Sequence, residues 1–506
     1  MARPDENHAP GWRSEVSCFI TQLCTKTPRS QGILDEMQPE PSHEASALLR
    51  QIKPVNQWLE MPYLQSLIET HGRIRVSALL RKTLHQQRES ILQGGTLWAP
   101  QFTLQKLRAN LMALNQSGLR RVINGTGILI HTGLGRSPLS QNAIAAVAET
   151  ASGYCNLEID LESGFRGRRA DLIRETIQAI TGAPAATLVN NNAAATILAL
   201  RALAHGKQVL VSRGQLVEIG GGFRLPEIMA VSGSILREVG TTNKTRLSDY
   251  ENAITPDTAA IMRIHTSNYT IVGFTEEPDP KELAALAHSR GIRFIDDIGS
   301  GALTADAVPA ARSDPNVTDA LASGADIVLF SGDKLLGGPQ CGILVGNAHS
   351  IALVEKDPLM RAFRVDKMTI AALAATLESW TDPEIRNRDI PLWQRMSEPL
   401  ESVKFRADQL ADSLQKLGWN CWPEPSQAFA GGGSLPSEQI PSWAVVVAAP
   451  YLSDIKTEEQ LGQRLRSGSP AILGRVHKSM LWLDLRTIPP EEQSQVSECF
   501  STIGAN

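Results

Sequence analysis

The residues best suited to chemistry lie in Phe330-Ser331-Gly332-Asp333-Lys334-Leu335-Leu336-Gly337-Gly338-Pro339-Gln340. The β-rich run Asp326–Phe330 ends there in a small polar turn that presents one lysine. A lysine at a strand end can condense with an aldehyde once desolvation lowers its pKa. Ser331, three residues earlier, is placed for a phosphate on such a cofactor. Some forty residues upstream, Arg293–Ile295 runs into Asp296-Asp297-Ile298-Gly299-Ser300-Gly301. A carboxylate at a strand's carboxyl end can pair with a protonated pyridine nitrogen and make the ring a better electron sink. Asp297, which starts the D-x-G-S turn, is the candidate and Asp296 the alternative. Either could instead be an ordinary turn or cap aspartate. The third segment, Leu188-Val189-Asn190-Asn191-Asn192-Ala193-Ala194-Ala195-Thr196, reads as strand, polar turn and helix. Free N–H groups at a helix start form a phosphate site, and one cap does not explain three asparagines.

Arginines form a fourth group. Arg136 closes His131-Thr132-Gly133-Leu134-Gly135-Arg136 after a strand, and Arg361 and Arg364 are three residues apart. With Pro358 in the first turn, the spacing predicts Arg361 and Arg364 on one helix face. Three guanidinium groups near a cofactor would hold an anionic second substrate. Read separately, each is also compatible with an ordinary surface ion pair.

The elements that must position these groups follow from periodicity. From about Arg121, short β-rich runs alternate with longer helical ones. The runs are Val122–Ile130, Ala186–Val189, Gln208–Val211, Ser234–Val239, Ala259–His265, Arg293–Ile295 and Ile327–Phe330. Helices such as Ala193–Ala204 and Pro280–Arg290 lie between them, which predicts an α/β domain with a mainly parallel sheet covered on both faces. A long helix near Lys367–Trp380 and the stretch Asp382–Pro391 follow. The chain then reads as a smaller α+β domain. Upstream, apolar residues between Ser46 and Gln93 recur every three or four residues, as in a helical domain. The predicted organisation is a flexible extension over 1–46, with a short helix near Val16–Cys24, and a helical domain over 47–93. A linker and helix over 94–121, a large α/β domain over 122–390 and a small α+β domain over 391–506 complete it.

Charge is uneven. The chain of 506 residues carries −4, yet Ala47–Arg121 holds eleven Lys/Arg against three Glu, a local +8 that leaves −12 elsewhere. A basic module on an acidic body suggests a polyanionic partner such as nucleic acid; a solvated helical surface is the plainer reading. No apolar run approaches the ~20 residues of a membrane span, and the start MARPDENHAPGW lacks the apolar core of a secretory leader. The six cysteines show no zinc-type spacing. A reducing, cytoplasmic compartment and no metal are expected.

The order of phosphate turn, pyridine aspartate and lysine is that of fold-type I pyridoxal-phosphate enzymes, of the aspartate aminotransferase-like type. The chain more specifically resembles the bacterial selenocysteine synthases, or L-seryl-tRNA(Sec) selenium transferases. The matching segments include INGTGILIHTGLGRSPLS, NLEIDLESGFRGRR, VNNNAAATILAL, EVGTTNKTRLSDYE, DDIGSGAL, FSGDKLLGGPQCG and PLMRAFRVDK, with LLRQIKPVNQWLE upstream and LDLRTIPPEE downstream. The resemblance spans roughly residues 46–500, and several long motifs in order are more specific than any glycine pattern.

The resemblance implies a β-replacement on a tRNA-bound serine. Lys334 would hold pyridoxal 5'-phosphate as a Schiff base and, once displaced by the substrate amine, take the Cα proton, with Asp297 on the pyridine nitrogen. Loss of the β-hydroxyl would leave an aminoacrylyl-tRNA, to which selenium from selenophosphate adds. Arg136, Arg361 and Arg364, with Asp333, would line the donor site; Asp333 would serve proton transfer or the placing of Lys334. Asn190, Asn191 and Ser331 would take the cofactor phosphate, and Gln215 is the candidate against the ring face. The basic N-terminal domain would bind tRNA(Sec), and the assembly would be a homodecamer. A small-molecule lyase of the same fold lacks a reason for the basic module. A catalytically inactive tRNA-binding relative would not need Lys334, Asp297 and the arginines. A nicotinamide-binding fold would need a third glycine after Gly133-Leu134-Gly135.

Overall fold

The computed structural model describes residues 42–504 except 116–117, 220–221, 267, 270, 305–314 and 433. The expected N-terminal extension, with its helix near Val16–Cys24, lies outside the described residues as far as residue 41. The described chain divides into two compact units, the first ending at Arg120 and the second beginning at Arg121.

The first unit is helical from His43, earlier than the predicted start at Ala47. Ser42 caps that helix, its hydroxyl accepting from the Ala45 N–H at 3.2 Å. Helices His43–Leu49, Val55–Leu59, Pro62–His71, Arg73–Leu92 and Pro100–Asn115 make up the unit. Val76, Leu79, Leu80 and Leu84 form one stripe of Arg73–Leu92 and pack with Trp58, Leu59, Leu64, Leu107 and Leu111. Each fully buried leucine contributes roughly 1.5–3 kcal/mol. Arg73, Arg81, Lys82 and Arg88 on the same helix are exposed, so the apolar stripe leaves much of the positive charge facing water.

The second unit holds fourteen described strands: β1 (Val122–Gly125), β2 (Ala185–Val189), β3 (Gln208–Ser212), β4 (Glu218–Ile219), β5 (Phe223–Arg224), β6 (Ile235–Val239), β7 (Thr258–Ile264), β8 (Arg293–Gly299), β9 (Ile327–Ser331), β10 (Gly342–Gly346), β11 (Cys421–Gly431), β12 (Ser434–Val447), β13 (Ala471–His477) and β14 (Met480–Asp484). Seven make the larger sheet, in the order β2-β10-β9-β8-β7-β3-β6. β10 runs antiparallel to both neighbours and the other pairs are parallel. Side chains alternate between faces, as strand geometry requires. Ile261, Phe294, Val328 and Phe330 join one core, while Ala260, Met262, Ile295 and Leu329 join another. The faces are therefore separately covered, which explains the near-continuous apolar strands.

A second sheet has the order β1-β13-β14-β12-β11. Helices Leu400–Lys416 and Gln493–Gly504 supply Val403, Leu410, Leu414, Val496 and Phe500 to its core.

One strand expectation is corrected and one strand is added. Val122–Ile130 is not one strand of the parallel sheet: β1 stops at Gly125 and pairs with β13 of the smaller sheet. Gly127, at φ +81°, turns the chain, and Leu129 and Ile130 then bond the Phe429 and Ala430 carbonyls. Only five residues long and flanked by glycines, β10 was absent from the sequence reading. Its place is set by pairing on both sides rather than by local pattern.

Candidate active site

The carboxyl ends of β2, β8 and β9 carry the predicted groups. Asp296 and Asp297 are adjacent on β8, so their side chains leave opposite faces of the sheet. Asp296 lies beside Arg263 of β7, its register partner, in a two-pronged pair at 2.8 and 2.6 Å. Asp297 faces helix Asn192–Ala204, where Asn192 Nδ2 donates at 2.8 Å and Thr196 Oγ1 at 3.0 Å. Asp296 is thus paired with Arg263, whereas Asp297 is turned toward the helix that opens at the asparagine run. Asn192 and Thr196, which the sequence reading did not single out, are four residues apart and share a helix face. A threonine within an alanine-rich helix was the available signal, and that threonine is fully buried.

Burial pushes the Asp297 acid above its ordinary range; hydrogen bonds from Asn192 and Thr196 and the charge of Lys334 oppose this and do not cancel it. The cofactor-free fold therefore holds a proton there that the unfolded chain has already released. Stability from this group is complete below ~3.9 and is lost as pH rises through the raised folded value. Asp297→Asn removes that titration. In urea unfolding of cofactor-free protein, the stability difference between wild type and the variant is expected to shift against the wild type as pH climbs above ~4. A difference constant with pH would show that Asp297 ionises as an ordinary carboxylate.

Lys334 follows β9 by three residues and is 5 % exposed. Gly299, at φ +63°, faces it: a Cβ there would stand 3.8 Å from Lys334 Nζ. At that distance a Cβ would make ordinary contact with the amine, so it is the left-handed backbone that favours glycine here. Asp333 Oδ2 accepts from Arg136 Nη1 at 2.7 Å, and Ser137 Oγ donates to the Lys334 carbonyl at 2.9 Å. Arg136 is held at φ +65°, where a side-chain-bearing residue costs about 1–3 kcal/mol. Asp333 Oδ1 and Asn192 Oδ1 are buried and have no hydrogen-bond partner among the described residues.

The asparagine turn is placed by contacts on two sides. The Asn190 N–H donates to the Phe363 carbonyl at 2.8 Å. Asn191 caps the following helix, its side-chain oxygen accepting from Ala194 N at 2.9 Å. Gly342 of β10 comes so close that a Cβ would lie 2.2 Å from the Asn191 carbonyl oxygen. Ser331 ends β9 and is buried. Gln215 lies in the short turn after β3, its Oε1 accepting from Ile264 N at 3.1 Å.

The arginines are not arranged as the spacing predicted. Helix Leu359–Ala362 contains Arg361 but ends before Arg364, because Phe363 caps it and Asp366 opens the next helix. The two therefore do not share a helix face. The Phe363 carbonyl nevertheless anchors this segment to the Asn190 turn, whereas Arg136 touches the lysine turn itself. Arg364 Nη1 reaches Glu158 Oε1 at 3.5 Å, alongside Arg166 at 2.6 Å and Arg169 at 2.9 Å. Hydrogen bonds from Arg166 and Arg169 hold the Glu158 carboxyl below its usual range. Glu158 was missed; the mixed-charge run Glu158–Arg169 was its only signal.

These groups suit pyridoxal phosphate. The buried amine of Lys334 matches its aldehyde, the carboxyl of Asp297 its pyridine nitrogen, and a capped helix start with Ser331 its phosphate. Together with the seven-stranded sheet they define a fold-type I pyridoxal-phosphate-dependent enzyme. The structure is similar to that of D-glucosaminate-6-phosphate ammonia-lyase, with a TM-score of 0.55 and 20% identity, over 78% of this chain and 99% of that one. Residues 122–489 match the family described as L-seryl-tRNA selenium transferase (SelA). The chain is 41% identical over 461 residues to the L-seryl-tRNA(Sec) selenium transferase of Hyphomonas neptunium, covering 90% of this chain and 99% of the relative. It is 46% identical over 388 residues to that of Solidesulfovibrio magneticus, covering 76% and 82%. The chain belongs to the L-seryl-tRNA(Sec) selenium transferase family.

Proposed function

We propose that the protein converts L-seryl-tRNA(Sec) to L-selenocysteinyl-tRNA(Sec), with selenophosphate as the selenium donor. Pyridoxal phosphate, when bound, supplies the sink for electrons released at the substrate Cα. Lys334 would hold the cofactor, and its amine would take the Cα proton. Asp297 would hold the pyridine N–H, Asn190, Asn191 and Ser331 would bind the phosphate, and Gln215 would lie against the ring. The Cα proton and the β-hydroxyl would leave as water; selenium would then add at Cβ as a proton returns to Cα, and the P–Se bond of selenophosphate would break with its phosphoryl group passing to water as phosphate. Arg136, Arg361 and Arg364 bind the anionic donor. Asp333 holds Arg136 in place, which accounts for a carboxylate beside an anion site. The observation that carries this reading is the Arg136–Asp333 pair directly adjoining a buried Lys334.

Purified protein supplied with pyridoxal phosphate, seryl-tRNA(Sec) and selenophosphate is expected to yield selenocysteinyl-tRNA, identified by mass spectrometry after deacylation. Breakdown of a small amino acid with no change in seryl-tRNA would instead establish a small-molecule lyase. Binding of tRNA without turnover would establish an inactive relative.

The first unit is the tRNA-binding part in this reading. Arg73, Arg81 and Arg88, eight and seven residues apart, are exposed on one helix. Reversing Arg81 to Glu is expected to weaken tRNA binding and to lower the slope of log affinity against log salt by about 1. An unchanged slope in filter binding would remove Arg81 from the interface. The proposal includes a homodecamer, testable by native mass spectrometry, and a reducing cytoplasmic setting, consistent with four unpaired cysteines among the described residues. No helix among the described residues is long and apolar enough to cross a membrane.

A further inference from the structure

The turn that presents Lys334 is fastened from outside by side-chain donors. Three successive carbonyls are taken in order. Ser137 Oγ donates to that of Lys334 at 2.9 Å, Trp393 Nε1 to that of Leu335 at 2.7 Å, and Trp380 Nε1 to that of Leu336 at 2.9 Å. The Leu335 N–H donates to the Ser300 carbonyl at 2.8 Å, three residues beyond Asp297. The two indoles meet edge to face, centroids 5.5 Å apart at 89°. The Arg386 guanidinium carbon lies 4.9 Å from one ring centroid and 4.7 Å from the other, and Arg386 is 1 % exposed. A desolvated guanidinium over two aromatic faces holds both rings in a fixed orientation. Packing alone would need only the rings. Here both indole N–H groups are spent on the two carbonyls that follow the lysine.

The same element reaches the arginine segment. Trp380 caps the carboxyl end of helix Lys367–Ser379, and Asp366 caps its start, accepting from Met368 N at 2.8 Å and Thr369 N at 3.1 Å. Arg361 and Arg364 lie just before Asp366. A helix of thirteen residues, about 20 Å long, thus joins the segment bearing these arginines to the clamp on the lysine turn.

We propose that Trp380 and Trp393, ordered by Arg386, are positioning residues for Lys334. They fix the backbone from which its amine projects, so that cofactor linkage depends on the two indole N–H groups. This rests on the reading that Lys334 carries pyridoxal phosphate. Losing one donor leaves a buried carbonyl unpaired, which the turn relieves by tilting. The amine at the end of its flexible stem moves with it.

The test compares Trp393→Phe and Trp380→Phe with Trp419→Phe. Trp419 is also buried and meets Phe500 edge to face, but in the smaller sheet's core, and its Nε1 has no hydrogen-bond partner among the described residues. Three readouts need no tRNA: the pyridoxal phosphate dissociation constant, the pH midpoint of the visible cofactor band, and the rate at which an acylating reagent labels Lys334 in cofactor-free protein. Each clamp variant is expected to bind the cofactor about tenfold more weakly, with a shifted midpoint and an altered labelling rate. Trp419→Phe is expected to lower thermal stability and leave all three unchanged. Should Trp393→Phe not accumulate folded, Trp380→Phe reports on the adjacent carbonyl. Borohydride fixation and peptide mapping of the wild type separate the two layers. An adduct on another lysine overturns the site reading and this proposal with it. An adduct on Lys334, with clamp variants that match wild type or are matched by Trp419→Phe, overturns the clamp alone.

Discussion

Replacing Lys334 with alanine is expected to lower turnover of seryl-tRNA by about 10⁴-fold, the upper range for loss of a positioned general base. Borohydride should fix pyridoxal phosphate to the wild-type chain and not to the variant. Lys334→Arg is expected to be as inactive: it keeps the positive charge, but a guanidinium neither condenses with the aldehyde nor gives up its proton near neutral pH. Small primary amines supplied in solution should partly restore turnover to Lys334→Ala, because truncation leaves room for an amine where the buried lysine side chain stood. Wild-type rates in Lys334→Ala would remove the lysine from the chemistry and transfer the base role to another group in the same turn. The size of the effect follows from the two tasks the proposal gives to one side chain, holding the cofactor and moving the Cα proton.

Arg136→Ala is expected to be the second most damaging change, for stability as well as activity. Asp333 is 5 % exposed; its Oδ2 accepts from Arg136 and its Oδ1 has no partner among the described residues. Removing the guanidinium strands a buried carboxylate, at a cost of about 3 kcal/mol. Arginine and alanine are equally strained at φ +65°, so the comparison isolates the side chain. Asp333→Asn removes the charge that would be stranded. The double variant is therefore expected to recover most of the lost thermal stability and none of the activity, a non-additivity that identifies the pair as coupled. Asp333→Asn alone separates the two roles open to the aspartate. A raised KM for selenophosphate with kcat preserved assigns it to orienting Arg136, and a fall in kcat at unchanged KM assigns it to proton transfer. Additive losses in the double variant would mean that the two groups act independently despite their 2.7 Å contact.

The type and order of the main site residues were legible in the sequence because each sits in a short local motif. A strand followed by a polar turn with one lysine, a strand ending in Asp-Asp-Ile-Gly-Ser, and an asparagine run opening a helix are all features of neighbouring residues. The large sheet was legible for the same reason, since alternating strand-like and helical runs are a local periodicity. Contacts between segments far apart in the chain were not. Only the opposite faces of β8 separate Asp297 from Asp296, and only pairing on both sides establishes β10. Sequence distance concealed Asn192 and Thr196 as the partners of Asp297, Glu158 as a partner of Arg364, and two tryptophans as holders of the lysine turn. The spacing of Arg361 and Arg364 pointed to a shared helix face, but the carboxylate of Asp366 starts a new helix and breaks the continuity. By itself the sequence determined which chemical groups are present and which local elements carry them. The tertiary structure decided which groups meet, because hydrogen bonds and ion pairs require contact within a few ångströms, and that contact comes from packing elements that the chain brings together from hundreds of residues apart.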